Sequence, residues 1–590
     1  MVTHSRYERK GIFYNPAAQD TAGMILALAI SFVLRAWALH HRGVLEYDET
    51  YLYILGHNFF SGKGYTLNGL PHAAFPPLYP LLVGIAALAA SGIYAATSAV
   101  SLLTGFLLPL PVYCLARDIH GRGAALFAAL AAAAWPALFF YANNAAYAGR
   151  LYIATEPLYL TLVASGITFL WLFARRGGWG KALLAGVFFG LASLVRTEGP
   201  VLFAFLFLWL LLDRMIARRL WKRKPLFQSG LVAVAMLFVI SPWLCHLRGV
   251  TGEWTLGVKM SGKVHIRDAL WSWVATDDSE EFMKINYKLN IPTTWMEEPI
   301  WGVSPWHVGQ RGENGSDLFT GLAAVADPDW RWLGKLWEYL AKGPGALLPI
   351  YAWFFILLGL LAPPWSSVRR RWWLLFFFSL LPMLLIAVSV GVLPRNVLYL
   401  LPLAALPLAK GLGIAGHLLR LSARRTRRLR RWSSLVAAMP AVAVFVFMIG
   451  RGVADNETNR WPVRALYETG DQVRERKLAQ DLRGTLAPGR TLMVHKPWIA
   501  AWAGLDWRVT PFASPNRMLG YARNRGIDYA LLEYWQFQPG FEPRELAPYL
   551  VAVFDVGTKM YLFDFSGEDK ALGDGTPPVM AFGGREAGSP

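Results

Sequence analysis

The side chains best suited to chemistry are a few charged residues at the ends of long apolar segments. The sequence Glu46-Tyr47-Asp48-Glu49 directly follows the first apolar run, and residues 50–60 continue with apolar side chains at helical spacing. A carboxylate at this position could act as a general base on a hydroxyl or an amine. The alternative is that Asp48 and Glu49 only begin a helix as solvated or capping residues. The local sequence leaves both interpretations open.

Other charged residues occur at similar places further along the chain. Arg150 and Glu156 precede a later apolar run, Arg196 and Glu198 lie at a reversal between two runs, and Arg395 lies in a short loop. Charges beside a membrane are costly and often mark function. Guanidinium groups can bind phosphate oxygens bidentately and stabilise negative charge that develops on a leaving phosphate. The alternatives are a local ion pair for Arg196 and Glu198, and snorkelling to lipid headgroups for Arg395.

The apolar segments that must position these residues identify a membrane protein. Of 590 residues, 55% are hydrophobic and 16% are charged, which excludes an ordinary soluble globule and a disordered chain. Cys114 and Cys245 both lie in apolar stretches, so we expect neither a disulfide framework nor a zinc cluster. Runs of about 20 apolar residues can cross about 30 Å of hydrocarbon. They predict eleven spans, at about residues 21–40, 93–115, 122–142, 151–174, 180–196, 198–213, 228–247, 344–363, 372–393, 396–415 and 433–450.

The net charge of +19 has two interpretations, a nucleic-acid partner or basic cytoplasmic loops. The basic residues fall in alternate loops, and the positive-inside rule makes those loops and the N-terminus cytoplasmic. We therefore expect no nucleic-acid partner, a bacterial inner-membrane location and an extracytoplasmic C-terminus. The basic loops contain Arg117 and Arg122, then Arg175, Arg176 and Lys181, then six basic residues in 214–224, three in 369–371 and seven in 420–431.

Two domains are predicted. Residues 1–451 form the membrane domain, with long outer loops at 41–92 and 248–343, the second of which is rich in tryptophan and is expected to lie along the bilayer. Residues 452–590 contain 16 Lys and Arg against 17 Asp and Glu, as expected for a soluble domain. Alternating patterns predict a small α/β domain followed by a disordered tail. Its helices are expected near 470–485 and 514–525, and its strands near 491–495, 528–533, 550–556 and 560–565.

The order of several motifs resembles the GT-C glycosyltransferases of the family that includes the lipid A aminoarabinose transferases and the protein O-mannosyltransferases. The resemblance covers about residues 20–415 and extends to the appended α/β domain. The matching motifs are Asp48-Glu49, Gly56-His57-Asn58, Gly62-Lys63-Gly64-Tyr65, Pro76-Pro77-Leu78-Tyr79-Pro80, Thr155-Glu156-Pro157-Leu158, Arg196-Thr197-Glu198-Gly199, and Arg395 with Tyr399-Leu400-Leu401-Pro402.

The resemblance implies an inverting transferase of the GT-C fold that uses a polyprenyl-phosphate sugar as donor. Asp48 matches the residue taken as the general base, and Glu49 is its acidic companion. Glu156 matches a position thought to orient the donor or the acceptor, and Arg395 matches a candidate for the donor phosphate. The substrate-binding set is expected to include Arg150, Arg196, His57, Lys63 and Tyr65 as well.

The chain departs from the aminoarabinose transferases at two basic positions. Tyr51 stands where they have an Arg after the acidic pair, and Phe75 where they have a Lys before the first-loop proline. Phosphate binding is therefore expected from Lys63, Arg196 or Arg395.

The acceptor could be a lipid, a glycan or a protein. No cofactor is required, although a divalent metal could bridge Asp48, Glu156 and phosphate. The alternative function is a multi-pass transporter or lipid flippase. Such proteins often have inverted repeats and charges near the membrane midplane. Here no repeat is visible, and the charges gather at the outer ends of the spans.

Overall fold

The computed structural model describes residues 16–40, 47–90, 92–136, 138, 145–147, 150–152, 155–216, 223–252, 254–256, 350–361, 367–390, 398–426, 429–457, 470–510, 515–533, 546, 548–555 and 559–566. The predicted tryptophan-rich loop lies almost entirely outside this range, as does the predicted disordered tail. The predicted domain boundary at residue 451 falls within a helix that continues to Glu457, and it stays a prediction.

A bundle of apolar helices forms the membrane part, and each of the eleven predicted spans coincides with helical structure. Within the described ranges, seven helical segments are long and apolar enough to cross a membrane. The helices are α1 (Pro16–His40), α2 (Tyr47–Asn58), α3 (Leu78–Ala89), α4 (Ile93–Gly105), α5 (Pro109–His120), α6 (Arg122–Ala134), α7 (Glu156–Arg176), α8 (Trp179–Ser193), α9 (Gly199–Ile216), α10 (Arg223–Thr251), α11 (Ile350–Leu361), α12 (Ser367–Val390), α13 (Leu401–Arg425) and α14 (Ser433–Glu457).

The helix boundaries differ from the predicted spans mainly at prolines. The predicted span 93–115 is divided into α4 and α5, and Pro109 begins α5. The predicted span 122–142 contains α6, which ends at Ala134, two residues before Pro136. The predicted span 151–174 begins as a helix only at Glu156, because Pro157 suits the first turn of a helix better than its interior. The apolar helix α3, absent from the predicted spans, is too short to cross a membrane.

Glycines bring several helices into close contact. A Cβ atom at Gly56 in α2 would lie 2.0 Å from the carbonyl oxygen of Pro80 in α3, and one at Gly84 would lie 2.6 Å from the oxygen of Gly56. A Cβ atom at Gly359 in α11 would lie 1.8 Å from the oxygen of Pro407 in α13. Such approaches let backbones pack tightly where apolar lipid supplies little driving force for association.

Ion pairs gather the basic helix ends at one face of the bundle. Asp20 in α1 lies 2.8 Å from Arg117 at the end of α5 and 2.6 Å from Arg122 at the start of α6. Asp118 pairs with Arg175 and Arg176 at the end of α7. The start of α1 therefore shares a face with the end of α7, as the alternation of basic loops predicts.

The first outer loop contains α2, a turn and a short hairpin. The predicted helix at 50–60 is confirmed, although it begins earlier, at Tyr47. A turn over Phe59–Lys63 follows, and then the hairpin of β1 (Thr66–Leu67) and β2 (Leu70–Pro71). The dipeptide Asn68-Gly69 joins these strands with φ values of 55° and 78°, as expected for a type I′ turn.

The C-terminal region forms the predicted α/β domain. A five-stranded sheet has the order β6-β5-β7-β9-β8; β5 is parallel to β6 and β7, and β9 is antiparallel to β7 and β8. All predicted helices and strands of the domain are present. The prediction missed α16 and β6, because segments of seven and three residues are too short to show a clear period. The elements are α15 (Gly470–Thr485), β5 (Thr491–Val494), α16 (Pro497–Ala503), β6 (Asp506–Arg508), α17 (Pro515–Asn524), β7 (Tyr529–Glu533), β8 (Leu550–Asp555) and β9 (Lys559–Asp564).

Candidate active site

Helix α2 carries the acidic pair near its N-terminal end. Asp48 is the second residue of α2, and its side chain lies outside the described part of the structure. Glu49 is fully buried and accepts a hydrogen bond of 2.9 Å from the hydroxyl of Thr97 in α4. The acidic pair therefore does not lie wholly in a solvated loop, because at least Glu49 turns into the protein.

A second acidic position belongs to a buried charge cluster. Arg196, after the end of α8, donates hydrogen bonds of 2.7 Å to Glu156 Oε1 and 2.9 Å to Glu198 Oε1. The Glu156 side chain is 2% exposed and that of Arg196 is 13% exposed. The Arg196 guanidinium also lies 5.7 Å from the centroid of the Tyr159 ring. The local ion pair considered for Arg196 and Glu198 is thus present, and Arg196 also pairs with Glu156, the first residue of α7.

The electrostatics of this cluster favour a charged arginine. Burial by itself would lower the pKa of Arg196, but Glu198 and Glu156 raise the pKa above its usual value. Two carboxylates therefore share the Arg196 guanidinium. Glu156 Oε2 is buried and has no hydrogen-bond partner among the described residues. That oxygen can accept a hydrogen bond from a substrate hydroxyl or amine.

Lys63 and Tyr65 make other contacts. Lys63 Nζ donates hydrogen bonds of 2.5 and 2.6 Å to the carboxylate of Asp506 in the α/β domain. The Tyr65 hydroxyl donates a hydrogen bond of 2.8 Å to the carbonyl oxygen of Phe75, and burial raises its pKa well above the usual value. Both side chains support the first outer loop.

His57 lies on the exposed side of α2. Its ring stacks on Tyr53 with 5.9 Å between centroids, and its Nε2 lies 3.4 Å from the hydroxyl of Ser61. Partial burial and the nearby charge of Lys63 lower the pKa of His57 below its usual value, against the opposing effect of Asp506. A neutral imidazole can accept a proton or a hydrogen bond.

Two predicted basic residues cannot be placed. Arg150 begins the short strand β4 (Arg150–Tyr152), but its side chain is outside the described part of the structure. Arg395 lies outside the described residues altogether. Their assignments stay predictions.

Arg35 is a buried cation that the sequence analysis missed. It lies in α1, is fully buried, and donates a hydrogen bond of 3.3 Å from Nε to the hydroxyl of Ser31. A Cβ atom at Gly105 would lie 2.7 Å from Arg35 Nη1 and 3.0 Å from Cβ of Pro157, the residue after Glu156. The guanidinium therefore lies beside the start of α7. An arginine inside a predicted span is itself a signal of function, and residue 35 falls inside the span predicted at 21–40.

No group of three or more His, Cys, Asp or Glu side chains with a metal-binding arrangement occurs among the described residues. The Asp48 side chain is not among them, so the divalent metal that could bridge Asp48, Glu156 and phosphate stays a prediction.

Comparisons with known proteins agree with this architecture. A family model described as dolichyl-phosphate-mannose-protein mannosyltransferase matches residues 75–246. A search of curated proteins finds no significant match. The crystal structure of ArnT from Cupriavidus metallidurans bound to undecaprenyl phosphate is similar, with a TM-score of 0.50 and 15% identity, over 94% of this chain and 100% of that one. The apo state of ArnT gives a TM-score of 0.54 and 14% identity over the same shares of the two chains. The two proteins therefore share a fold over nearly their whole lengths.

Proposed function

We propose that the chain is a GT-C glycosyltransferase that transfers a sugar from a polyprenyl-phosphate carrier to an acceptor. The fold that it shares with ArnT and the match of residues 75–246 to the mannosyltransferase family model support this proposal. The observation that carries the proposal is the set of buried acidic groups at the ends of α2 and α7. Glu49 and Glu156 are 0% and 2% exposed. Buried carboxylates at helix ends in a membrane protein are expensive, and their presence there favours a role in chemistry.

Asp48 acts as the general base. It takes the proton from an acceptor hydroxyl or amine as that group attacks the anomeric carbon of the donor. The new glycosidic bond forms as the bond from the anomeric carbon to the phosphate oxygen breaks. Attack in line with the leaving phosphate inverts the anomeric centre. The acceptor is a lipid, a glycan or a protein.

The other charged residues orient the substrate and bind the donor phosphate. Arg196 is already engaged by Glu156 and Glu198, so it orients the free oxygen of Glu156 toward a substrate hydroxyl. Arg395 binds the donor phosphate and stabilises the charge that grows on it as the sugar leaves. Lys63 is held by Asp506 and is therefore a weaker candidate for phosphate.

The reaction takes place at the outer face of the inner membrane. The basic ends of α5, α6 and α7 pair with Asp20 and Asp118 at one face, which the positive-inside rule makes cytoplasmic. Glu156 begins α7 at the end opposite Arg175 and Arg176, which supports an outer position for Glu156 in this orientation. The N-terminus is then cytoplasmic and the α/β domain extracytoplasmic.

The substitution Asp48→Asn tests the role of the base. Membranes containing equal amounts of folded protein are supplied with undecaprenyl-phosphate carriers of a tritiated hexose, N-acetylhexosamine or pentose, and labelled product is counted. We expect the rate to fall by about 10²–10⁴-fold, the usual contribution of general-base catalysis. The matched control is Asp481→Asn, which neutralises a carboxylate in α15 of the α/β domain. Near-normal transfer by folded Asp48→Asn would refute the assignment. Movement of labelled carrier across vesicles without sugar transfer would favour the transporter alternative.

A further inference from the structure

The turn between β1 and β2 is embedded in the α/β domain. Asn68 is 2% exposed, and its Oδ1 accepts a hydrogen bond of 3.1 Å from the backbone N–H of Val509, just after β6. Its Nδ2 lies 3.5 Å from the hydroxyl of Tyr521 in α17. Gly69 lies against the guanidinium of Arg508, and a Cβ atom there would be 3.2 Å from Arg508 Nη2. The tip of the hairpin is thus a buried contact between the two parts of the chain.

The same strand of the α/β domain contacts helix α2. The ring of Trp507 in β6 lies 5.3 Å from that of Tyr51, and both side chains are buried. Trp507 is itself held in the sheet, because its indole N–H donates a hydrogen bond of 2.8 Å to the carbonyl oxygen of Val494 in β5. Tyr51 follows Asp48 by three residues in α2, so their backbone positions are about one helical turn apart. Trp507 therefore packs on the turn next to the proposed base.

A third contact occupies the exposed rim of this interface. Lys63 and Asp506 form an ion pair whose side chains are 45% and 31% exposed. Exposed pairs of this kind contribute little to stability, because water and salt screen them. The buried contacts of Asn68 and Trp507 are therefore expected to stabilise this interface more than the Lys63–Asp506 pair does.

We propose that Asn68 and Trp507 are positioning residues, through which strand β6 of the α/β domain holds the start of α2 in its reactive place. The expected effect on the rate of sugar transfer rests on the proposed function. Neither residue touches the reacting atoms in this scheme. A catalytic group displaced by about 1 Å can lose about 10²-fold in rate, so support of α2 from outside the membrane would affect turnover directly.

The substitution Asn68→Gly isolates the contact. Glycine tolerates the positive φ of this position and removes the oxygen that accepts the Val509 N–H. The conservative partner is Asn68→Asp, which keeps an acceptor oxygen and also tolerates positive φ. The matched control is Arg490→Ala, which breaks an exposed pair with Asp528 in the same domain, away from the hairpin.

Two measurements on the full-length protein in lipid nanodiscs decide the proposal. The first is amide hydrogen exchange of residues 47–58, which needs no substrate. Losing the buried hydrogen bonds of Asn68 should speed exchange there about 3–10-fold in Asn68→Gly. Asn68→Asp, which keeps an acceptor for the Val509 N–H but loses the Nδ2 donor, should have a smaller effect, and Arg490→Ala should stay close to wild type. The second is sugar transfer, in which kcat should fall by a similar factor while the donor KM stays unchanged.

The outcomes separate the two proposals. If the wild-type protein transfers no sugar, the proposed function fails, and hydrogen exchange still tests the positioning role. If Asn68→Gly speeds exchange at residues 506–509 but not at 47–58, the positioning role is overturned. If Asn68→Gly does not fold, Trp507→Leu removes the contact with Tyr51 independently, and unchanged exchange at 47–58 would again overturn the inference.

Discussion

Removing Arg196 should strongly destabilise the protein, and neutralising Glu156 should reverse part of the loss. Arg196→Ala leaves Glu156 charged at 2% exposure, with its guanidinium partner gone. Breaking a buried ion pair by removing one partner costs about 3–5 kcal/mol, because the remaining charge stays buried. In the double variant Arg196→Ala with Glu156→Gln, only a neutral amide remains, and an unmet buried polar group costs about 1–3 kcal/mol. The double variant should therefore be about 2 kcal/mol more stable than Arg196→Ala.

The assay is guanidinium unfolding in detergent micelles, followed by circular dichroism, for the wild type, the two single variants and the double variant. Glu156→Gln measures the effect of neutralisation while Arg196 still pairs with Glu198. Arg490→Ala, which breaks an exposed pair, serves as the control and should barely change the midpoint. If the double variant is no more stable than Arg196→Ala, the charge of Glu156 is not the cause of the loss. A cost below about 1 kcal/mol for Arg196→Ala would mean that the cluster behaves as a surface pair.

Two further outcomes follow from α2. Gly56→Ala should lower the midpoint of thermal unfolding, because its Cβ would lie 2.0 Å from the carbonyl oxygen of Pro80. The control is Gly123→Ala, which should be neutral or slightly stabilising because nothing lies within 4 Å of its Cβ. Equal effects of the two would contradict the close packing of α2 on α3. Lys63→Ala should raise the pKa of His57 toward 6.5, measured by NMR titration, because Lys63 now helps to lower it. Because the folded state favours neutral His57, the contribution of His57 to stability is present above pH 6.5 and is lost as the pH falls. If the pKa of His57 does not change in Lys63→Ala, Lys63 does not influence it.

Local sequence patterns were sufficient to predict the apolar helices and most helices and strands of the α/β domain. A run of apolar residues must avoid water wherever it lies, so its helical state in a membrane needs no knowledge of its neighbours. The same holds for α2, whose apolar residues repeat at helical spacing. The prediction failed where the signal was short, as for β6, or where a proline moved a boundary, as at Pro109 and Pro157.

The candidate site was predictable as a set of residues but not as an arrangement. Charges at span ends were identified because charged groups are rare in this chain, at 16% of residues. The pairing of Arg196 with Glu156 joins residues forty positions apart, and only the packing of α7 beside α8 brings them within 2.7 Å. The place of Arg35 beside Gly105 and Pro157 depends in the same way on how α1 crosses its neighbours.

The two departures from the aminoarabinose transferases also show what the sequence and the structure each contribute. The sequence has Tyr51 and Phe75 at the two positions where those transferases have basic residues. The structure adds that their rings lie 6.5 Å apart and that Trp507 packs on Tyr51. Composition and periodicity are properties of neighbouring residues, so they are enough to predict the apolar helices and most of the elements of the α/β domain. The contacts of Tyr51 in α2 with Trp507 in β6, and of Asn68 in the hairpin turn with Val509, join residues more than 440 positions apart. They exist only once the whole chain has packed.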